Sequence, residues 1–275
     1  MAATARASTD EAGEKELFFL SLNEDKEQTI VLLHALLSSR LEYEMVTPHL
    51  SNYHLLVPDI NGHSNSADIL PATIQASTER VAALIAKHAH GGKAHVVGLS
   101  MGGFITWNLA KEHPELVHTA FASGAAPFQG FLKWLTSRPS LIWYGMKVLI
   151  GAMPDGMYWW LVEKKGMRRH EQLLAEMRTN LRWEVVRDVY LSAQGNTWKV
   201  ASEVRARTLT VAGGKEDDVP ATKRMGELLP VEGSKAYVVK EAIHGWDLVF
   251  PELFARGILA WIEGRPLPDE YEALE

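Results

Sequence analysis

A serine between glycines forms a short pattern that can build a nucleophilic site. Gly98, Ser100 and Gly102 match G-x-S-x-G, with an apolar run over 94–97 before the pattern and a helical pattern after it. A strand that turns sharply into a helix holds one residue at an exposed bend, and flanking glycines let the backbones pack closely around it. A serine there presents its hydroxyl beside a helix N-terminus, which favours developing negative charge.

A base and an acid follow this serine in the order Ser, acid, His. A serine hydroxyl is a weak nucleophile near neutral pH, so it needs a base within hydrogen-bond reach and an acid that orients the base. His244 follows the last predicted strand of the core and is expected at the same sheet edge as Ser100. We therefore predict that Ser100 is a nucleophile and His244 its base.

The orienting acid comes from a run of three carboxylates, Glu216, Asp217 and Asp218. A G-x-x-acid register counted from Gly213 selects Glu216, and one counted from Gly214 selects Asp217. The shorter aspartate side chain suits a tight loop, so Asp217 is the favoured acid and Glu216 is the alternative. Asp218 is predicted to cap the next helix.

Acyl transfer at a serine also needs hydrogen-bond donors for an oxyanion. The backbone N–H of Met101, directly after Ser100, is the first predicted donor. The loop over 34–39 (HALLSS) follows the first central strand, and the backbone N–H of Leu36 in this loop is the predicted second donor.

The elements that must position these residues alternate between strands and helices. Such alternation predicts an α/β fold, with a mostly parallel sheet and helices on both faces. Strand-like runs occur at 17–20, 29–33, 53–57, 94–97, 117–122, 208–212 and 236–239, and helical patterns at 40–50, 74–88, 101–110, 220–229 and 248–262.

The alternation stops over 127–200, where the pattern is helical and tryptophans are concentrated. We predict a helical cap (lid) insertion over 127–200, within an α/β core made of 16–126 and 201–275. The first fifteen residues are small and polar, and we predict that 1–15 form a disordered tail.

Four tryptophans are predicted to line the substrate pocket: Trp134, Trp143 and Trp159 from the cap, and Trp246 beside His244. Aromatic and methionine side chains favour an apolar pocket of adaptable shape. A hydrophobic small molecule is therefore the expected substrate, in preference to a sugar or a highly charged compound.

Together these motifs resemble the α/β-hydrolase fold superfamily, in the branch with a helical cap after the sixth strand. The matching features are the bend at Ser100, His34-Ala35 in place of the family's His-Gly, the loop over 58–66 (PDINGHSNS), and His244. The resemblance extends over about residues 16–264. A serine at the bend argues against the dehalogenases of this fold, which carry aspartate there.

This resemblance implies a catalytic triad and an oxyanion hole. Ser100 would be the nucleophile of the elbow, His244 the general base and then acid, and Asp217 or Glu216 the orienting acid. The backbone N–H groups of Leu36 and Met101 would form the oxyanion hole.

Composition excludes several classes of function. The 275 residues carry a net charge of −6 without a basic run, which argues against nucleic acid as a partner. The chain has no cysteine, so thiolate catalysis, disulfides and cysteine metal sites are excluded. We expect neither a metal site nor a cofactor.

An apolar stretch over 141–162 has the length of a membrane span, but Lys147, Pro154 and Asp155 interrupt it. Two cap helices that break near Pro154 are predicted instead, with no integral membrane span. The N-terminal segment lacks the apolar core of a secretory signal, so a cytoplasmic location is expected. The oligomeric state, monomer or homodimer, stays open.

The sequence thus predicts a serine esterase-type hydrolase. It would cleave a carboxylic ester, lactone or thioester through an acyl-enzyme on Ser100, as a carboxylic ester hydrolase does. Two alternatives stay open. One is a lyase, cyclase or C–C hydrolase of secondary metabolism that uses the same site. The other is a receptor-like hydrolase fold that binds a ligand.

Overall fold

The computed structural model describes residues 3–6 and 15–274, and within them nine strands form one sheet. The strand order is β1-β2-β4-β3-β5-β6-β7-β8-β9. Neighbours from β4 to β8 pair in parallel, whereas β1, β2 and β9 pair antiparallel. The strands are β1 (Ala3–Arg6), β2 (Phe19–Leu22), β3 (Thr29–Leu33), β4 (His54–Pro58), β5 (Ala94–Leu99), β6 (Val117–Ser123), β7 (Thr208–Gly213), β8 (Lys235–Val239) and β9 (Tyr271–Ala273).

Helices cover both faces of the sheet, as the alternation of elements predicts. The α-helices are α1 (Ile74–His88), α2 (Met101–Glu112), α3 (Gly130–Thr136), α4 (Pro139–Met146), α5 (Asp155–Glu163), α6 (Glu171–Asn180), α7 (Trp183–Ala193), α8 (Trp198–Glu203), α9 (Val219–Leu228) and α10 (Pro251–Ile262). Residues of α1, α2 and α8 pack on one face, and residues of α10 pack on the other. The predicted α/β fold with a mostly parallel sheet is confirmed.

Strand β3 shows why the central strands read as continuous apolar runs. Val31 and Leu33 point into the core beneath α1 and α2, while Ile30 and Leu32 point into the core beneath α10. Because side chains alternate along a strand, burial on both faces leaves no exposed position in β3.

Two segments differ from the sequence prediction. The helix expected over 40–50 is instead two short 3-10 helices, Arg40–Tyr43 and Thr47–Leu50. Pro48 lies at the start of the second one and has no N–H to continue a helix across the segment.

The second difference lies in the predicted disordered tail over 1–15. Within it, Ala3–Arg6 pair antiparallel with Phe19–Leu22 and cover the edge of β2, which would otherwise present unpaired backbone groups. The rest of that tail, except Lys15, lies outside the described residues.

The segment between β6 and β7 contains α3 to α8. After α4 the chain makes a π-helical turn over Lys147–Gly151, and α5 begins after Pro154. The apolar stretch over 141–162 is therefore broken into two helices, as predicted. In the described part of the chain, no helix has the length and apolar character to cross a membrane.

Glycines allow β5, α2 and β3 to approach closely around the bend at Ser100. A Cβ atom at Gly98 would overlap the backbone carbonyl of Gly102, and one at Gly102 would overlap the carbonyl of Leu33. Both obstacles are backbone atoms, so the overlap cannot be relieved by a change of rotamer.

We therefore expect Gly98→Ala to lower the free energy of unfolding by about 3 kcal/mol. The matched control is Gly145→Ala in α4, where no atom lies within 4 Å of the added Cβ; it is expected to be neutral or to stabilise by up to about 1 kcal/mol. Urea unfolding of both variants measures the difference, and equal stabilities would contradict this account of the bend.

Candidate active site

Ser100 occupies a strained bend between β5 and α2. Its backbone has φ 54° and ψ −112°, a region that non-glycine residues seldom adopt. The Ser100 N–H donates to the Ser123 carbonyl at 2.8 Å, and the Phe104 N–H donates to the Ser100 carbonyl at 3.0 Å. These bonds hold the bend against β6 and α2, and the serine lines a cavity of about 250 Å³.

His244 and Asp217 form a hydrogen-bonded pair at the wall of the same cavity. His244 follows β8 and Asp217 follows β7, and His244 Nδ1 lies 2.5 Å from Asp217 Oδ1. The other carboxylate oxygen of Asp217 accepts the Gly213 N–H at 2.7 Å. Both oxygens of the buried carboxylate are therefore fixed.

The neighbouring Glu216 contacts the backbone of His244 and not its ring. Its Oε2 accepts the His244 N–H at 3.1 Å, and its Oε1 accepts from Lys165 Nζ at 2.6 Å. Asp218 caps α9 by accepting the Ala221 N–H, as predicted. The three consecutive carboxylates thus have three different partners.

Charges around His244 outweigh the effect of burial on its ring. Burial alone would lower the pKa of His244, but the Asp217 hydrogen bond and the charges of Asp217, Glu216 and Asp247 raise this pKa above 6.5. For Glu216, burial opposes ionisation, yet Lys165 and the His244 N–H lower the pKa below its usual value. An ionised Asp217 beside the ring favours the proton on Nδ1, which leaves Nε2 free to accept one.

Gly124 leaves room for the His244 ring. It follows β6 with φ +60°, and a Cβ there would lie 2.8 Å from His244 Cε1. A larger residue would therefore displace the ring from its place beside Asp217.

Two backbone N–H groups at the cavity are available to a ligand. Leu36 and Met101 both line the cavity. Met101 is the first residue of α2, so its N–H has no partner within the helix. Around Leu36, the Ala35 N–H donates to the Glu42 carboxylate and the Leu37 N–H donates to His63 Nε2; the described residues include no acceptor for the Leu36 N–H.

Leu37 has a positive φ of 68°, and two buried side chains hold it there. His63 accepts its N–H at 3.1 Å, and Asn180 Nδ2 donates to the carbonyls of Leu37 and Ser38 at 2.9 Å each. Asn180 is the last residue of α6, so a residue of the helical segment between β6 and β7 shapes the loop over 34–39. The sequence carried no signal for this role, because one asparagine at a helix end is ordinary.

His34 and His63 are both buried and link the loops over 34–39 and 58–66. His34 Nε2 accepts the Ile60 N–H at 2.9 Å, so this nitrogen carries no proton and the ring is neutral. Burial lowers the pKa of His34 to about 4, and burial together with His34 lowers that of His63 to about 3. Protonation of either ring would break a backbone hydrogen bond of the site.

The cavity wall is mainly apolar, and most of the residues that form it were not predicted from the sequence. They come from α2, from the segment before α3, from α3 and from α7: Phe104, Phe128, Leu132, Val189 and Tyr190. Their spacing in the sequence does not identify them as pocket residues, because apolar residues at such positions are equally typical of a protein core.

None of the four predicted tryptophans is among the residues lining this cavity in the described part of the chain, which corrects the pocket prediction. Trp246 is fully buried in the core on the α10 side of the sheet and donates to Ser123 Oγ, and Trp159 is buried within the cap. Trp143 packs edge-on against another tryptophan, and Trp134 stacks on a phenylalanine at the surface. These four indole rings pack in the protein interior or at the surface and do not line the cavity.

Among the residues that the structure describes, no group of three or more histidine and carboxylate side chains could hold a metal ion. The polar groups at the cavity include the Ser100 hydroxyl, the His244–Asp217 pair and the backbone N–H groups of Leu36 and Met101.

The pKa differences among the histidines can be measured by NMR titration. We expect His34 and His63 to stay neutral down to about pH 4, with the proton on Nδ1, whereas His244 titrates above pH 6.5. Because the two lowered values disfavour binding a proton in the folded state, stability should fall as the pH drops below about 6.5. Titration of His63 near the value of a free histidine would show that its bond to Leu37 is not maintained.

Comparison with known proteins identifies the family of this chain. The α/β-hydrolase fold family matches residues 28–150. An AB hydrolase superfamily protein of Gibberella zeae is 32% identical over 269 residues, covering 95% of this chain and 89% of that protein.

Solved structures extend the likeness to the whole fold. Carboxylesterase CesB from Bacillus subtilis has a TM-score of 0.72 and 21% identity, covering 97% of this chain and 93% of its own. The enol-lactonase from Burkholderia xenovorans LB400 has a TM-score of 0.67 and 18% identity, covering 95% and 96%. The chain belongs to the α/β-hydrolase superfamily.

Proposed function

We propose that the chain is a serine hydrolase that cleaves an ester-type bond of a hydrophobic small molecule through an acyl-enzyme on Ser100. The bond would be a carboxylic ester, a lactone or a thioester. The observation that supports this most is the meeting of Ser100, the Asp217–His244 pair and two available backbone N–H groups at one apolar cavity.

In the proposed mechanism, neutral His244 takes the hydroxyl proton of Ser100 while Oγ attacks the substrate carbonyl carbon. The backbone N–H groups of Leu36 and Met101 stabilise the oxyanion. Protonated His244 then gives its proton to the leaving oxygen or sulfur. His244 then deprotonates a water molecule, whose oxygen bonds to the acyl carbon. The bond from that carbon to Ser100 Oγ breaks, His244 returns the proton to Oγ, and the acid is released.

Asp217 holds the ring of His244 in the tautomer that this sequence requires, and its charge stabilises the imidazolium that forms. In the described part of the chain no hydrogen bond joins Ser100 Oγ to His244. Such hydrogen bonds often shorten only when substrate is bound. We therefore expect the His244 ring to come within hydrogen-bond distance of Ser100 Oγ in the complex.

The cavity supports a small or medium-sized apolar substrate. Its volume of about 250 Å³ and its aromatic wall of Phe104, Phe128 and Tyr190 favour a short acyl or aromatic group. The carboxylesterase and enol-lactonase activities that the names of the similar proteins state belong to this class of reaction.

The test is covalent labelling with a fluorophosphonate, combined with turnover of p-nitrophenyl esters of increasing chain length and of several lactones. We expect one adduct, on Ser100, and a loss of kcat of about 10⁴-fold or more in Ser100→Ala. Absence of an adduct on the folded protein would contradict the proposal. Turnover retained by Ser100→Ala would favour a lyase or cyclase, and ligand binding without turnover would favour a receptor.

A matched pair of neighbouring substitutions tests the acid. Asp217→Asn is expected to lower kcat by about 10⁴-fold, because the asparagine amide favours the wrong tautomer of His244. Glu216→Gln is expected to cost less than about 10-fold, since the glutamine oxygen can still accept the His244 N–H.

The same pair should separate in its pH dependence. His244 acts as base only when neutral, so kcat/KM of the wild type should rise with pH through a pKa above 6.5. Removal of the Asp217 charge lowers that pKa and moves the acidic limb to lower pH. A larger loss in Glu216→Gln than in Asp217→Asn would assign the acid to Glu216.

A further inference from the structure

The outer surface of the cap is far more apolar than the rest of the protein. Of the fourteen large apolar side chains that are exposed in the described residues, ten lie between Phe131 and Leu161. Phe131 is 73% exposed, and Tyr144 and Val148 are each 64% exposed. We call the exposed side chains of 131–161 the cap apolar surface.

On α4 and α5 these side chains recur at helical spacing, so each of these two helices presents an apolar stripe outward. Leu141, Tyr144 and Val148 follow one face of α4 and the turn after it. On α5, Met157 and Trp160 are three residues apart and therefore lie on the same face of the helix. A helix at a protein surface usually turns its apolar stripe inward, so these stripes are positioned to meet another apolar phase.

Cationic side chains are concentrated in the segment that carries the cap apolar surface. Residues 130–170 hold seven lysines and arginines against two acidic residues, in a chain with 28 basic and 34 acidic residues overall. Both acids are paired with arginine, Asp155 with Arg178 and Glu163 with Arg169. The surface is therefore cationic, although the protein as a whole is acidic.

Several of these cations lie against the aromatic rings. Lys164 Nζ is 3.6 Å from the centre of the Trp160 ring, and Lys147 Nζ is 4.7 Å from that of Trp143. In the part of the chain that the structure describes, neither lysine forms an ion pair with an acidic side chain. Aromatic rings with neighbouring cations suit the boundary between lipid headgroups and acyl chains.

We propose that the cap apolar surface binds the interface of an anionic lipid bilayer. Each lysine or arginine near such a membrane is attracted to its negative surface, and the apolar stripes of α4 and α5 enter the acyl boundary. A second copy of the chain is a poorer occupant. In a two-fold dimer the patch would face itself, placing one excess of cations against another.

This surface continues toward the cavity of Ser100. Leu132 on α3 lines that cavity, and its neighbour Phe131 belongs to the cap apolar surface. If the ester hydrolysis proposed above is correct, a bilayer-dissolved ester would approach the cavity from this side. The lipid binding itself does not depend on that activity.

The test is co-sedimentation of the full chain with two kinds of vesicle, phosphatidylcholine alone and phosphatidylcholine containing phosphatidylglycerol. We expect binding to the anionic vesicles, at least about 10-fold weaker binding to the neutral ones, and a loss of binding as salt is raised. The apolar variant Val148→Ser/Leu149→Ser/Trp160→Ser should bind at least about 30-fold more weakly, and Lys147→Glu/Lys164→Glu about 10-fold or more weakly.

Matched controls carry the same changes outside the surface. Leu70→Ser/Leu191→Ser alters two leucines that are each 48% exposed, and Lys199→Glu reverses an exposed lysine on α8. Both should bind as the wild type does, and thermal unfolding should show all variants to be folded.

Three results would overturn the proposal. The first is no binding of the wild type to anionic vesicles at low salt. The second is equal binding to both kinds of vesicle, or equal loss in the control variants. The third is sedimentation velocity showing a dimer that the apolar variant disrupts, without vesicle binding, which would assign the surface to a second copy.

Discussion

The hydrogen bonds that hold the loop over 34–39 are the constraint on which the site depends. Leu37 keeps a positive φ there, a conformation that costs about 1–3 kcal/mol for such a residue. His63 accepts its N–H and Asn180 donates to its carbonyl. The neighbouring Leu36 lines the cavity, and its N–H has no acceptor among the described residues. Ser100 also has a positive φ, so the proposed nucleophile and the loop of its proposed oxyanion donor are both held in place by surrounding contacts.

Residues of the helical segment between β6 and β7 also hold the site in place. Asn180 holds the loop over 34–39, and Lys165 pairs with Glu216, which accepts the backbone N–H of His244. Movement of the segment between β6 and β7 would therefore alter both the loop over 34–39 and the position of His244. Beneath the loop lies a buried carboxyl pair: burial and Asp247 raise the pKa of Glu42 well above its usual value, and burial raises that of Asp247 to about 7. A neutral Glu42 can accept the Ala35 N–H without placing a full negative charge beside the loop over 34–39.

Sequence reasoning was strong where a residue's role is local and weak where it depends on distant packing. Strands β2 to β8, α1 and the bend at Ser100 were predictable, because apolar runs, helical periodicity and glycines on both sides of a serine leave direct signatures. The choice between Glu216 and Asp217 stayed open, because two adjacent carboxylates differ only in where the folded loop points them. The pocket tryptophans were misassigned, since ring size indicates burial but not which cavity a ring faces. The role of Asn180 could not be predicted, because its hydrogen-bond partners lie more than a hundred residues away in the chain.

A crystal structure of the phosphonate adduct would test the central claim most directly, because the adduct mimics the tetrahedral intermediate at Ser100. The account predicts phosphorus bonded to Ser100 Oγ, with its free oxygen within hydrogen-bond distance of the backbone N–H groups of Leu36 and Met101. It also predicts His244 directed at the leaving-group side, with Nδ1 still on Asp217. A phosphonyl oxygen that points away from Leu36, or a loop over 34–39 rearranged to satisfy the Leu36 N–H elsewhere, would contradict it.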